Sequence, residues 1–275
     1  MSSIVNPPAQ SLSGLEFVDG QYSTQTQQPG WFARSFPSMT FHCRFLRRLW
    51  RAGRLAKRGL YDDSQWVESS LEVMRDLESV GVRFEITGVH HVANLDQPYV
   101  MVGNHMSTLE SIVLPGIIRP HNPVTFVVKS SLLKYPVFRH IIRARDPIVV
   151  TRTSPREDFK TVLKGGLERL NRGVSIVIFP QHSRMQQFDP QQFNTIGSKL
   201  ATRAGVPIIP LALQADAWGS GWFNTDFGRI RPASPVRFAF GPPVFVEGKG
   251  QQAHQSIIKF ITDRINEWKA HDKLD

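Results

Sequence analysis

The chain has 275 residues, 41% of them hydrophobic, enough to bury one substantial core and to exclude a chain that is disordered throughout. Its 33 Lys and Arg against 23 Asp and Glu leave a net charge of +10, so an anionic partner is expected: nucleic acid, a lipid surface or a phosphorylated substrate. The one cysteine, Cys43, excludes an intramolecular disulfide and a cysteine-built metal cluster, and points to a reducing or cytoplasm-facing location.

Residues 1–30 are rich in Ser, Gln, Pro and Gly. They have neither the basic start nor the apolar core of a secretory signal and read as a disordered tail. No apolar run approaches the ~18–20 residues that span a bilayer, so a membrane would be met only at its surface. Residues 31–60 then carry eight basic residues and no acidic one, interleaved with Trp31, Phe32, Phe36, Phe41, Phe45 and Trp50. At about 100° per residue, Phe41, Phe45, Leu46, Leu49, Ala52, Ala56 and Leu60 share one side of a helix, and Arg44, Arg47, Arg48, Arg51, Arg54 and Arg58 the other. Such a basic amphipathic helix suits the headgroup layer of an anionic membrane surface, each charge contributing about 1 kcal/mol there. The same pattern fits a helix packed on the body by its apolar side with a solvated basic face. Nucleic acid is not expected as the partner, because neither zinc-finger spacing nor an RNA-binding aromatic run accompanies the charge.

Asp62-Asp63-Ser64 starts a second helix with Trp66, Val67, Leu71, Met74 and Leu77 on its buried side and Gly81 placed to end it, so residues 31–81 read as a helical hairpin ahead of the main domain, 82–275. Val82, Phe84 and Ile86 alternate as a strand ending at Gly88. The apolar run Tyr99-Val100-Met101-Val102 then delivers Gly103-Asn104-His105-Met106-Ser107-Thr108-Leu109-Glu110. Five residues along a helix turn side chains about 140° apart, so His105 and Glu110 can meet only if His105 precedes the first turn and Glu110 faces back. Ser107 and Thr108 fit as caps of that turn. A histidine held by a carboxylate can take a proton from a hydroxyl and stabilise the resulting imidazolium. On these residues alone a structural histidine at a strand end fits as well.

Pro115 is expected to end the helix after this motif. Strands follow at 124–128 and 147–151 with a helix at 137–143 between them. Ser154-Pro155-Arg156-Glu157 opens a helix carried by Phe159, Val162, Leu163, Gly166, Leu167 and Leu170 to Asn171 and Gly173. A fully apolar strand at 174–179, a short helix at 198–204 stopped by Gly205, and a buried strand at 206–213 come next. A late strand at 235–240 and a closing helix marked by Ile257, Ile258, Ile261, Ile265 and Trp268 complete the order. The alternation predicts an α/β fold with a largely parallel central sheet flanked by helices and an N-terminal helical hairpin, its ligand site beyond the carboxyl ends of strands. His105 and the run Pro180-Gln181-His182-Ser183-Arg184 both follow apolar strands and would line one cleft. His90, His91 and His140 have no further ligand set around them and read as structural or solvated, so no metal site is expected.

Four blocks in this order resemble the glycerolipid acyltransferase family. Asn104-His105 with Glu110 resembles that family's Asn-His-x4-Asp pattern, with Glu for the usual Asp. Phe126-Val127-Val128-Lys129 and Pro147-Ile148-Val149-Val150-Thr151-Arg152 resemble its Phe-Val-Ala-Lys segment and the strand ending in arginine. Phe179-Pro180-Gln181-His182-Ser183-Arg184-Met185 is similar to Phe-Pro-Glu-Gly-Thr-Arg-Ser, with Gln and His where the family has Glu and Gly. Ala204-Gly205-Val206-Pro207-Ile208-Ile209-Pro210-Leu211-Ala212 is close to Ala-Gly-Val-Pro-Ile-Val-Pro-Val-Ala.

The resemblance implies an O-acyltransferase of membrane lipid synthesis. His105, oriented by Glu110, would deprotonate the hydroxyl of a lysolipid, which attacks the thioester of acyl-CoA or acyl carrier protein. No cofactor is implied beyond that co-substrate, and the chain has no Gly-x-Ser-x-Gly elbow to form an acyl-enzyme. Lys129, Arg152 and Arg184 would hold an anionic headgroup, with Gln181, Ser183 and His182 on the acceptor. The acceptor expected is 1-acylglycerol-3-phosphate or a related lysophospholipid, and the enzyme is expected to be peripheral on the cytoplasmic face of a membrane. The altered third block leaves two alternatives open: the same fold acylating a non-phosphate acceptor, such as an amino-lipid or a glycolipid, or a catalytically weak lipid-binding protein.

Overall fold

The computed structural model describes residues 15–25, 28–181, 183–219, 221, 228–246, 248 and 250–273. Along the chain it forms β1 (Tyr22–Ser23), α1 (Trp31–Ser35), α2 (Pro37–Lys57), α3 (Asp63–Glu78), β2 (Phe84–Thr87), α4 (His90–Ala93), β3 (Val100–Gly103), α5 (Leu109–Ile118), β4 (Val124–Lys129), α6 (Phe138–Arg143), β5 (Ile148–Val150), α7 (Pro155–Leu170), β6 (Ser175–Ile178), α8 (Ile196–Ala204), β7 (Ile208–Gln214), β8 (Val236–Phe240) and α9 (Gln251–His271). The eight strands make one sheet in the order β1-β2-β8-β7-β3-β6-β4-β5. From β7 to β5 every neighbouring pair is parallel, so these five strands end on the same side of the molecule. β8 runs against β7, β2 follows β8, and β1 turns back against β2. The fold is α/β, with a sheet that is parallel through its centre and mixed at one edge.

Alternation along the central strands divides the interior in two. Met101, Val177, Ile209, Leu211 and Leu213 join a core with Phe41, Phe45, Trp66, Met74, Leu109 and Leu114 from α2, α3 and α5. Val100, Val102, Ile176, Ile178 and Ile208 join a second core with Val162, Leu200, Ala201, Ile257 and Ile261 from α7, α8 and α9. The sheet is therefore covered on both faces, which is why its central strands read as continuous apolar runs.

Several expectations are corrected. Of the tail read over 1–30, residues 1–14 and 26–27 lie outside the described residues, but Tyr22 and Ser23 pair with Ile86 and Glu85. The Tyr22 and Thr24 hydroxyls both donate to Glu78, at 2.7 and 2.6 Å, which ties this segment to the end of α3. α2 and α3 are not set ahead of the domain: they form a layer over the sheet and share its core. The face of α2 is also rotated from the expected one. Phe41, Phe45 and Ala52 are buried, whereas Leu46 stands exposed, as does Leu60 beyond the helix end. The reason is electrostatic, because α3 carries acids on the side facing α2. Arg48 forks onto Asp76 and reaches Glu72 at 2.5 Å, Arg51 lies 3.4 Å from Glu68, and Arg44 donates to Ser79 at 2.5 Å. α5 does not stop at Pro115 but continues to Ile118. Burial of Ile117 and Ile118 outweighs the one hydrogen bond the proline cannot make.

Candidate active site

β3 is the central strand of the parallel set, held by β6 on one side and β7 on the other. At its last residue the backbones come close, since a Cβ on Gly103 would lie 2.9 Å from the Leu211 carbonyl oxygen. The Asn104 side chain then continues the ladder that the backbone leaves. Its Nδ2 donates to the Leu213 carbonyl at 2.9 Å, and its Oδ1 accepts from the Leu213 N–H at 2.8 Å. Both bonds are buried, so the residue just before His105 is fixed to β7.

His105 precedes α5, and Glu110 is the second residue of that helix and faces back, with Oε1 2.9 Å from His105 Nδ1. The Glu110 side chain is fully buried and none of its oxygens is idle. Oε1 also accepts the N–H groups of Met106 at 2.6 Å and Ser107 at 2.8 Å, and Oε2 accepts the Ser107 hydroxyl at 2.7 Å. The Ser107 oxygen accepts from Leu109 N–H at 3.1 Å, so Ser107, not Thr108, ties down the start of the helix. Burial alone pushes the Glu110 carboxyl up, but hydrogen bonding from His105, its charge, and the Ser107 backbone and hydroxyl outweigh this and hold it below the ordinary carboxylate value. An ionised Glu110 can only accept, so Nδ1 carries the proton and donates it. Nε2 is then the nitrogen left to take up or release a proton. The ring side chain is 12% exposed, so it is reachable from solvent.

The segment after β6 encloses His105. The Phe179 ring lies parallel to the imidazole, with centroids 4.5 Å apart and planes 7° apart. Gln181 Oε1 accepts the His105 N–H at 2.5 Å, and Met185 N–H donates to the His105 carbonyl at 2.9 Å. Gln181, read from the sequence as an acceptor contact, is 3% exposed, and its oxygen is committed to the His105 backbone. Its Nε2 is buried without a partner among the described residues. His182 lies outside the described residues, and Ser183 is exposed.

Arg152 follows β5 in a left-handed conformation, φ 59°, that residues with a side chain rarely adopt. Asp158, on the first turn of α7, holds it there by accepting the N–H groups of Thr151 at 2.8 Å and Arg152 at 2.6 Å. Burial, then the neighbouring positive charge of Arg184, hold the Arg152 guanidinium below its ordinary value, with Asp158 opposing. Two like charges that act on one another suit an anion with several oxygens. Lys129 is exposed at the end of β4. The structure thus joins His105, Glu110 and Gln181 by direct contact, and Arg152 feels the charge of Arg184. Asn104 and Phe179 were present in the quoted blocks but carried no role in the sequence reading, and Ser107 was read only as a cap. Among the described residues no group of three or more His, Cys, Asp or Glu side chains is placed to hold a metal ion.

A family model described as acyltransferase matches residues 83–214. A 1-acyl-sn-glycerol-3-phosphate acyltransferase of Pseudomonas aeruginosa is 29% identical over 188 residues, which cover 68% of this chain and 68% of that protein. The Homo sapiens 1-acyl-sn-glycerol-3-phosphate acyltransferase alpha is 27% identical over 139 residues, 49% of this chain and 47% of that protein, so the chain spans about half of that relative's length. The crystal structure of the 1-acyl-sn-glycerophosphate acyltransferase from Thermotoga maritima superposes with a TM-score of 0.58 over 85% of this chain and 95% of that one. At 18% identity that likeness shows a shared fold.

Proposed function

Because an acyltransferase family model matches residues 83–214 and 1-acyl-sn-glycerol-3-phosphate acyltransferases are its relatives, we propose that this chain moves a fatty acyl group from the thioester of acyl-CoA or acyl carrier protein to a hydroxyl of 1-acylglycerol-3-phosphate or a related lysophospholipid. The observation that carries the proposal is the 2.9 Å contact between His105 and a buried, ionised Glu110 at the carboxyl end of β3. In the reaction Nε2 takes the proton of the acceptor hydroxyl as its oxygen attacks the thioester carbonyl. The tetrahedral intermediate collapses with cleavage of the C–S bond, and the imidazolium returns its proton to the leaving thiolate. Glu110 stabilises the imidazolium between these steps, and no acyl-enzyme is formed.

Arg152 and Arg184 are assigned to the acceptor's phosphate, and the exposed Lys129 and Ser183 to further contacts with the acceptor. Thiol release measured with a panel of lysolipids, and mass spectrometry of the lipid product, test this reading. Arg152→Ala and Arg184→Ala should each raise KM for a phosphate acceptor about 10–100-fold, the worth of a charge-assisted hydrogen bond of about 1.5–3 kcal/mol. KM for an uncharged lysolipid should barely move. A parent enzyme that prefers an amino-lipid or glycolipid, or arginine variants indifferent to the phosphate, would replace the phosphate acceptor with the neutral one. Lipid binding without any thiol release would leave only a lipid-binding protein.

The proposed location is the cytoplasmic face of a membrane, with peripheral attachment. No helix of the described residues is long and apolar enough to cross a membrane. Trp31, Phe32, Phe36, Met39, Leu46 and Trp50 are each about half exposed or more, at 78, 49, 50, 50, 50 and 59%. Exposed Arg47 and Arg54 lie among them, Arg54 over the Trp50 ring at 4.6 Å. An apolar patch with a basic surround suits an anionic lipid surface. The parent is expected to float with anionic vesicles, and a Leu46→Glu/Trp50→Glu variant with an unchanged circular dichroism spectrum is expected to stay in the dense fraction. Equal flotation of both would move the lipid contact to another surface.

A further inference from the structure

The Nδ1 contact with Glu110 is a single point of attachment. A ring held at one nitrogen can still pivot about that hydrogen bond and about its own side-chain torsions, and each pivot swings the basic Nε2 away from a fixed direction. Direction matters, because proton transfer needs the lone pair aimed at the hydroxyl within a narrow range of angle and distance. The backbone of His105 is well fixed: Asn104 is bonded to β7, its own N–H to Gln181 and its carbonyl to Met185. None of these bonds sets the plane of the imidazole.

We propose that Phe179 is a positioning residue for the reaction, its ring fixing the plane of the His105 imidazole so that Nε2 points at the acceptor hydroxyl. The contact is face to face, at 4.5 Å and 7°. Its origin lies in the sheet, because Val102 pairs with Ile178 in parallel register, so Phe179 leaves β6 beside the end of β3. A flat ring against a flat ring resists tilting out of the parallel arrangement, and it shields one imidazole face from water. When the ring is protonated, the face of Phe179 also attracts the positive charge, a contribution that grows as the proton is transferred.

This inference rests on His105 acting as the base, and the experiment separates the two. Phe179→Leu, which keeps the apolar bulk but not the flat face, is expected to lower kcat for thiol release about tenfold, with KM for donor and acceptor within about twofold. Phe179→Tyr, which keeps the flat face, should restore kcat to within about threefold of the parent. In solution the His105 ring protons should resonate upfield in the parent and in Phe179→Tyr, and lose that shift in Phe179→Leu. Combined with His105→Ala, Phe179→Leu should cause no further loss, since its effect passes through the absent ring. A tenfold loss that persists without His105, or a loss confined to KM, overturns the role assigned to Phe179 and leaves His105 untouched. If His105→Ala alone turns over like the parent, the base assignment falls, and this one with it.

Discussion

Replacing His105 with alanine should lower kcat/KM for thiol release by about 10²–10⁴-fold, the usual contribution of a positioned general base. The fold should survive the change. Glu110 would lose one of its four hydrogen bonds but keep those from the Met106 and Ser107 backbone and the Ser107 hydroxyl, so its buried charge stays satisfied. The imidazole is itself partly exposed, so removing it makes no sealed cavity of the kind that destabilises a core. Residual turnover would come from binding and alignment of the two substrates, which the substitution leaves in place. Thioester consumption at several acceptor concentrations, alongside a thermal melt, checks both halves. Parent-like turnover from a folded variant would end the general-base assignment.

The central architecture was legible because buried parallel strands must be apolar on both faces. Val100, Val102, Ile176, Ile178 and Ile208 announce such strands without any tertiary information. The His105 and Glu110 contact was legible as a condition, that the histidine stand before the helix, and the chain meets it because Ser107 bonds to Glu110 and caps the start of α5. What was not legible depends on partners far apart in sequence. Leu46 falls on the apolar stripe by helical spacing, yet the acids of α3 turn Arg48 inward and leave Leu46 in solvent. Gln181 read as a substrate contact because it occupies a family block, but the register of β3 and β6 brings its oxygen onto the His105 N–H. Phe179 carried no signal of its own, since an aromatic residue at the end of an apolar strand is ordinary core.

Glu110→Gln and Glu110→Ala should fail in different ways, because the carboxylate has two tasks. In the alanine variant the His105 Nδ1, two backbone N–H groups and the Ser107 hydroxyl all lose their acceptor in a site where Glu110 is fully buried. Each buried orphan costs about 1–3 kcal/mol, and together they approach the roughly 5–15 kcal/mol that holds a domain folded. The alanine variant should therefore melt ~10 °C or more below the parent, or fail to accumulate. Glutamine keeps an oxygen for the three nitrogen donors, and its amide can donate to Ser107, whose hydroxyl turns round to accept. The glutamine variant should stay folded and lose about 10²–10⁴-fold in turnover, because a neutral amide does not stabilise the imidazolium. The pH dependence of stability adds a check on the charge. The folded state holds the Glu110 carboxyl below its ordinary value of 4.5, so on acidification the unfolded chain takes up the proton first. The part of the parent's stability that depends on this carboxylate is therefore complete above pH 4.5 and declines as pH falls through the lower folded value. Denaturant unfolding of the parent and Glu110→Gln at pH 7 and at pH 4 and below should show their difference shrinking in acid. A gap that stays constant, or a glutamine variant as active as the parent, would mean that the negative charge of Glu110 is not what the site uses.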